Sequence, residues 1–413
     1  MNTIKIFPQN WELYPLGDIA TFSQGIQVGT EQHISELIDG YQRFIRIIDY
    51  TQPNNADLRY VPTQGERYYA KASDIVMIRY GTPGVIGRGI EGIIANNMFK
   101  ISFNNLVLND FAEHYFRFSE TMRKINDGSA SSTMPAINFG FLKKLPFIVP
   151  PLPEQQKIAE ILSTVDAKIE LIDQQITETQ ALKKGLMQRL LTKGIGHTEF
   201  KDSPLGKIPK SWDLVELNKH IELLSGFAFK SEGFNEEGKG IKLLRGINIT
   251  VGKLRWNDKL DRWWDLPFEE IEKYSAQDGD LVISMDGSLV GRNYARVKKD
   301  DLPLLIVQRV ACLRAKNTLD LEFLNQIIGG SLWLNYVDTV KTSSGIPHIS
   351  AKNIRDFKIP FPSLKEQKEI SEILATISNK LEVLSEKKTH YQELKQGLMQ
   401  QLLTGKIRTI NNG

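Results

Sequence analysis

The sequence predicts an α/β (α+β) fold arranged as a pseudo-two-fold tandem repeat. Two globular units are each followed by a long amphipathic helix, and the two helices pair as an antiparallel coiled coil. Three observations predict this. Residues 154–195 align without a gap on residues 366–407 at a shift of 212, and 21 of the 42 positions are identical. Apolar residues in both segments recur at three- and four-residue steps, the period of one helix face. The stretches between them hold short β-rich runs bounded by Gly, Asn and Asp turns.

The first globular unit spans residues 1–150. It opens on Trp11-Glu12-Leu13, with Leu16 and Gly25 following. Strands are expected at Asp74-Ile75-Val76-Met77-Ile78 and Gly92-Ile93-Ile94-Ala95, and a helix over residues 108–119. Gly87-Arg88-Gly89-Ile90-Glu91-Gly92 has the spelling of a dinucleotide fingerprint. That motif must follow a strand and open a helix. Here it leads into a strand, so these are turn glycines.

The first helix covers residues 151–193, with Pro153 in its first turn. Its seam is Ile158, Ile161, Val165, Ile169, Ile172, Ile176, Leu182, Leu186 and Leu190. A linker with Pro204, Gly206 and Pro209 spans 194–211. The second unit, residues 212–362, opens on Trp212-Asp213-Leu214, with Leu217 and Gly226 in step with the first. Strands are expected at Asp280-Leu281-Val282-Ile283-Ser284 and Leu304-Leu305-Ile306-Val307, and a helix over 321–340. The second long helix covers 363–407, before a tail of residues 408–413. Its seam is Ile370, Ile373, Ile377, Leu381, Leu384, Leu394, Leu398 and Leu402, and Ser363-Leu364-Lys365-Glu366 reads as a capping box. Each helix is a rod of roughly 55 Å at about 1.5 Å per residue. Two stripes of matched length and register are natural partners, and the globular stretch between them must bridge one helix end to the next start. The match extends upstream: Met134-Pro135-Ala136-Ile137 falls on Ile346-Pro347-His348-Ile349. Elsewhere the units diverge, so a shared scaffold carries private content.

Composition narrows the function. A chain of 413 residues can bury two or more cores. The single cysteine, Cys312, excludes an internal disulfide or a Cys-rich metal site and suits the cytoplasm. The N-terminal residues lack a signal-peptide apolar core, and no run approaches the ~20 apolar residues of a membrane span. Net charge is only +3. Residues 1–152 carry 14 basic and 14 acidic side chains, and residues 197–362 carry 24 and 23. A protein that coats nucleic acid is more basic than this. Any DNA affinity from phosphate neutralisation is therefore modest and confined to one face.

Catalytic constellations are absent from the sequence. There is no phosphate loop ending in Gly-Lys-Ser/Thr, no histidine pair with metal-ligand spacing, and no Asn-Pro-Pro-aromatic or Asp-Pro-Pro-aromatic methyltransferase signature. The chain is not expected to be an enzyme by itself, and no catalytic or metal-ligating residue is assigned.

Residues suited to reading base edges are present in both units, since Arg suits guanine and Asn or Gln suits adenine. In the first they are Arg43, Arg46, Arg79, Tyr80, Arg88, Asn96 and Asn97; in the second, Lys242, Arg245, Arg255, Arg292, Asn293, Gln308 and Arg309. Each is equally compatible with a solvated surface position. The loops holding Ser129, Ser131 and Ser132, and Lys341, Thr342, Ser343 and Ser344, occupy matching positions before the Pro-x-Ile segments. They suit phosphate contact or serve as plain turns. His348 lies in a loop able to meet backbone or phosphate. Trp256, Trp263 and Trp264 are read as packing residues rather than base-stacking ones.

The carriers of a resemblance are Pro-Pro-Leu-Pro-Glu-Gln-Gln-Lys-Ile at 150–158 with its counterpart at 362–370, and Lys-Lys-Gly-Leu-Met-Gln-Arg-Leu-Leu-Thr at 183–192. Asp202-Ser203-Pro204-Leu205-Gly206-Lys207-Ile208-Pro209-Lys210-Ser211-Trp212 joins them. Together they make the chain resemble, over essentially its whole length, the specificity subunit of type I restriction–modification systems. The resemblance implies two target recognition domains, each reading one half of a split double-stranded DNA target in the major groove. It implies conserved helices that set the gap and dock methyltransferase (M) subunits, two of them, with restriction (R) subunits joining the full complex. S-adenosylmethionine, ATP and Mg belong to those partners, which flip and methylate an adenine, and this chain holds no cofactor itself. The implied place is the cytoplasm, with no membrane partner. The rival readings are a coiled-coil scaffold that does not read DNA, a self-sufficient nuclease or methyltransferase, and a stand-alone regulator.

Overall fold

The computed structural model describes residues 8–52, 54, 56–128, 136–267, 269–342 and 345–409. They form two compact units, residues 1–173 with 386–413, and residues 174–385. Each long helix therefore contributes one half to each unit.

The first unit begins with β1 (Glu12–Pro15), α1 (Leu16–Ile19), β2 (Ala20–Gln24), β3 (Tyr41–Ile45), α2 (Ile47–Thr51), β4 (Tyr60–Pro62) and β5 (Tyr69–Ala70). It continues with β6 (Ile75–Ile78), β7 (Ile86–Gly87), β8 (Gly92–Ile94), β9 (Met98–Phe103), α3 (Asn109–Arg117), α4 (Ser119–Asp127), α5 (Phe139–Lys144) and β10 (Pro146–Val149). The long helix α6 (Leu152–Lys193) follows and passes into the second unit.

The second unit then runs β11 (Phe200–Ser203), β12 (Gly206–Pro209), β13 (Asp213–Glu216), β14 (Ile221–Ser225), β15 (Ile241–Leu244), β16 (Ile249–Thr250), β17 (Lys253–Leu254), β18 (Trp263–Trp264) and α7 (Ile271–Tyr274). After these come β19 (Leu281–Ser284), β20 (Tyr294–Arg296), β21 (Leu304–Ile306), β22 (Val310–Ala315), α8 (Leu321–Ile328), α9 (Ser331–Val340), α10 (Ala351–Asp356), β23 (Lys358–Phe361) and α11 (Leu364–Leu402).

The two units repeat one topology. A four-stranded antiparallel sheet has the order β2-β9-β6-β7 in the first and β14-β22-β19-β20 in the second. A second sheet contains a parallel pair, β3 with β8 and β15 with β21. A two-stranded clasp ties each unit's start to its end, β1 with β10 and β13 with β23. The alternation of strand side chains explains the continuous apolar runs. Ile75 and Met77 of β6 face one core, while Val76 and Ile78 face another. Leu281 and Ile283 of β19 likewise face one core, and Val282 the other. A strand covered on both faces is apolar along most of its length, and in β19 only the terminal Ser284 is polar.

The long helices pair antiparallel within each unit. In the first, Ile158 and Leu162 of α6 share a core with Met399, Leu402 and Leu403. Asp166 pairs with Lys395 at 2.5 Å and Asp173 with Lys388 at 2.6 Å, so rising numbers on one helix meet falling numbers on the other. In the second, Leu190 and Leu191 share a core with Ile370 and Leu374. Of the expected seam, Ile158, Val165, Ile172, Leu190, Ile370, Leu384 and Leu402 are buried. Ile161, Ile169, Ile176, Leu186, Ile377, Leu381 and Leu398 are half-buried, while Leu182, Ile373 and Leu394 are exposed. Leu162, Leu191, Leu374 and Leu403, outside the expected seam, are buried instead. Each half-helix packs on a partner helix and on a globular core together, and that wider arc rotates the buried face away from a single stripe.

Four details differ from the sequence expectation. The 194–211 segment contains the hairpin β11–β12, turned at Pro204-Leu205 before Gly206 with φ 92°. The helix expected over 108–119 is present as α3, with α4 added after Phe118, but that over 321–340 breaks at Gly329-Gly330 into α8 and α9. The helix expected to reach residue 407 ends at Leu402. The Ser363 hydroxyl accepts from the Glu366 N–H at 3.3 Å, but the Glu366 carboxylate binds Trp212 rather than reaching back to close a capping box. Both carboxylate oxygens are already engaged, one by the Trp212 indole and the other by His197 and the Ile195 N–H.

Candidate nucleic-acid interface

The same backbone frame ends the central sheet of each unit. In the first, Arg79 just after β6 donates its N–H to the Asn97 carbonyl at 2.8 Å, and Ile137 donates to Arg79 at 3.1 Å. Gly25 donates to Met98 at 2.9 Å and Ala95 to Ile45 at 3.0 Å. In the second, Met285 donates to Arg309 at 2.8 Å, Ile349 to Met285 at 2.9 Å, Gly226 to Val310 at 3.0 Å and Val307 to Leu244 at 3.0 Å. Isolated bridges join Tyr80 to Ala136 and Asp286 to His348. A Cβ on Gly25 would collide with the Ala95 carbonyl, and one on Gly226 with the Val307 carbonyl. Glycine lets the two backbones approach.

On this frame the side chains differ. The first unit presents Gln24, Tyr80, Asn96, Asn97 and Ala136; the second presents Ser225, Asp286, Gln308, Arg309 and His348. Sequence reasoning found Tyr80, Asn96, Asn97, Gln308, Arg309 and His348. It missed Gln24, Ser225 and Asp286, which sit beside the matched glycines or after the matched strand. Aligning the frame itself would have found them.

In the first unit Arg79 is part of the frame. It donates to Gln24 at 2.7 Å and to the Ile137 carbonyl at 3.1 Å, and lies over the Phe139 ring. Asn96 donates to Gln27 at 3.2 Å. The Asn97 side-chain oxygen is buried without a hydrogen-bond partner among the described residues. Arg43 pairs with buried Asp49 at 3.1 Å, and Arg46 with Asp57 at 2.9 Å. Arg88 lies beyond the opposite end of β6, bound to the Ser73 carbonyl, Asp110 and Glu113. Ser129, Ser131 and Ser132 lie outside the described residues.

In the second unit Lys242 pairs with Asp261 at 3.1 Å beneath Trp256 and Trp263. Arg245 donates to the Leu260 carbonyl, and Arg255 to that of Ile247 at 3.0 Å. Arg292 and Lys341 share Asp338 at 3.4 and 2.6 Å. Thr342 meets His348 Nδ1 at 3.0 Å, and the His348 backbone bridges that of Asp286. Asn293 lines a 630 Å³ cleft with Asp286 and Thr250. Trp264 packs against Phe229, a packing role as expected of it. Ser343 and Ser344 lie outside the described residues.

A second repeated cluster organises the helix starts, and the sequence reading gave it no role beyond the capping box expected of Glu366. Trp11 donates to Glu154 at 2.9 Å, and Arg408 clamps the same carboxylate at 2.7 and 2.8 Å. Burial works against the Glu154 charge, but the Arg408 and Trp11 hydrogen bonds outweigh it and hold the carboxyl below its usual range. In the second unit Trp212 and His197 bind Glu366 at 2.9 and 2.8 Å. Gln155 accepts from the Leu108 N–H and donates to the Leu106 and Pro150 carbonyls. Gln367 does the same with Asp320, Thr318 and Pro362. The identical Glu-Gln pair and the Trp at each opening were the available signals.

Residues 8–181 and 209–396 each match the family model described as the type I restriction modification DNA specificity domain. The chain belongs to this family. It carries two specificity domains, in step with the two copies of the frame. It is 29% identical to the type I restriction enzyme MjaVIII specificity subunit of Methanocaldococcus jannaschii over 98% of this chain and 94% of that one. It is 27% identical to the EcoKI specificity subunit of Escherichia coli strain K12 over 88% and 81%. In fold it is similar to the type I restriction-modification S subunit from M. genitalium, with TM-score 0.62 at 16% identity over 97% and 98% of the chains. The scaffold reading is not favoured by these matches. Among the described residues no cluster of His, Cys, Asp or Glu could hold a metal ion, and no helix is long and apolar enough to cross a membrane.

Proposed function

We propose that this specificity chain reads a bipartite, asymmetric double-stranded DNA target, one half with each unit, and is itself non-catalytic. The observation that carries this is the repeated backbone frame with different side chains on it. Two equivalent platforms that differ at Tyr80/Asp286, Asn96/Gln308, Asn97/Arg309 and Ala136/His348 suit two different half-sequences. The helices α6 and α11 set the spacer between the halves and dock two methyltransferase subunits, to which restriction subunits add. S-adenosylmethionine, ATP and Mg reside on those partners, and the complex works in the cytoplasm.

The test is co-expression with the methyltransferase subunits of its own system, followed by mapping of modified adenines across the host genome. A split motif with unlike halves is expected. A continuous or palindromic motif would overturn the reading.

A further inference from the structure

We propose that Arg309 and Asp286 are the specificity-determining pair of the second unit and that together they read a G·C base pair in its half of the target. The inference rests on the DNA-reading role proposed above and adds the residues and the base identity.

The frame selects the positions. Met285 donates its N–H to the Arg309 carbonyl at 2.8 Å, and Ser284 opposes Val310 as the last pair of β19 with β22. Arg309 therefore lies opposite Met285, and Asp286 follows Met285, so both sit at one end of the sheet, one on each strand's extension. The equivalent places in the first unit hold Asn97 and Tyr80, so these positions vary while the backbone around them repeats.

Availability selects the side chains. Lys242, Arg245, Arg255, Arg292 and Lys341 are each committed to a carboxylate or a carbonyl of the protein. Arg309 is exposed, and among the described residues its guanidinium has neither hydrogen bond nor ion pair. It is also the one non-glycine residue among those described with a left-handed backbone, at φ 68°. Such a conformation is disfavoured for a side chain of this size and persists at functional positions. Asp286 is half-buried at the 630 Å³ cleft and, among the described residues, its carboxylate has no partner, Arg309 included.

Chemistry selects the base pair. A guanidinium donates two parallel hydrogen bonds to guanine O6 and N7, and a carboxylate accepts from cytosine N4. A free carboxylate facing DNA weakens binding to phosphate on every sequence. It helps only where it meets an amino group, and a wrong base leaves it unpaired. An Arg and an Asp kept apart on adjacent strands match the two halves of one G·C edge. The first unit, with Asn97 at the equivalent position and Arg79 locked onto Gln24, lacks this combination.

The experiment compares host methylomes for the wild-type chain, Arg309→Asn and Asp286→Asn, each co-expressed with its methyltransferase subunits. Asn tolerates the left-handed backbone, is the residue of the first unit, and suits adenine. Both variants should alter the same half of the motif and leave the other half unchanged. Arg309→Asn should lose guanine preference at one position by about 5- to 150-fold and move it toward adenine. Asp286→Asn should relax the choice of cytosine on the opposite strand. If either variant abolishes methylation, the assembled complex is titrated with duplexes carrying each base at each position of that half. A changed ranking of bases supports the proposal. Equal weakening on all sequences, with a smaller salt dependence, makes Arg309 a phosphate contact and overturns it. A wild-type split motif that both variants reproduce base for base also overturns it while leaving the proposed function standing. A wild-type motif that is not split removes the function and the pair together.

Discussion

Trp11 donates its indole N–H to the carboxylate of Glu154 at 2.9 Å across 143 positions of chain. Trp212 does the same to Glu366 at 2.9 Å. The opening strand of each unit is thereby tied to the first turn of the long helix that follows the clasp. Glu154 is 1% exposed, so its charge depends on these donors.

Replacing Trp11 by Phe keeps most of the apolar contact and removes the donor. The expected cost is about 1.5–3 kcal/mol, the range for a hydrogen bond to a charged group. Urea denaturation followed by circular dichroism reads it. Trp212→Phe should cost about the same, as the two bonds are alike; an unchanged midpoint in both would show that the carboxylates are satisfied without them.

Arg408→Ala removes a second partner of Glu154 and leaves the Trp11 indole and the Thr409 N–H at 3.4 Å. The Glu154 carboxyl is held below its ordinary value of 4.5, with burial opposing and the Arg408 bond prevailing. A depressed carboxylate contributes stability that is present above the unfolded value and lost as pH falls through the folded one. The gap in stability between wild type and Arg408→Ala should thus be widest near pH 7 and close at acid pH below 4.5. Denaturation midpoints across that range provide the check, and a gap independent of pH would contradict the assignment.

His114 predicts a second pH dependence. It is buried on α3, its Nε2 lies 3.0 Å from the Ser163 hydroxyl, and Asp166, Lys395, Glu113 and Arg117 surround it. Burial holds its pKa below 6.5; Asp166 and Glu113 oppose this, and Lys395 and Arg117 add to it. The unfolded chain therefore binds the proton more readily, and stability falls as pH drops through and below 6.5. The matching position of the second unit is Gln326, also buried. His114→Gln should flatten the stability profile between about pH 5 and 7, which thermal melts at each pH would reveal.

Leu162 and Leu374 occupy matching buried positions of the two long helices. Truncation of either to Ala should cost about 2–5 kcal/mol through lost burial and a residual cavity. Exposed Leu182 at 51% should be nearly neutral to the same change. Calorimetry of the three variants separates the observed buried face from the stripe read off the sequence.

Much of the architecture was legible because a 212-residue repeat is visible without any structure. The matched Trp, Gly and Glu-Gln positions mark the clasp, the close backbone approach and the helix starts. The buried faces of α6 and α11 were misplaced in part, because a helical period shows that a face is apolar and not how many partners share it. The hairpin β11–β12 was hidden by its Pro and Gly residues, which signal a turn and leave its flanks unassigned.

By itself the sequence determined the duplication, the two long helices and the family, since these depend on local period and on identity along the chain. Only the tertiary structure decided which polar residues are free. Arg43, Arg46, Arg88, Lys242 and Arg292 look like Arg309 in composition, yet each is bound to a carboxylate brought to it by folding. Availability of a charge is a property of what surrounds it in space, and the partners here lie between 6 and 46 positions away along the chain.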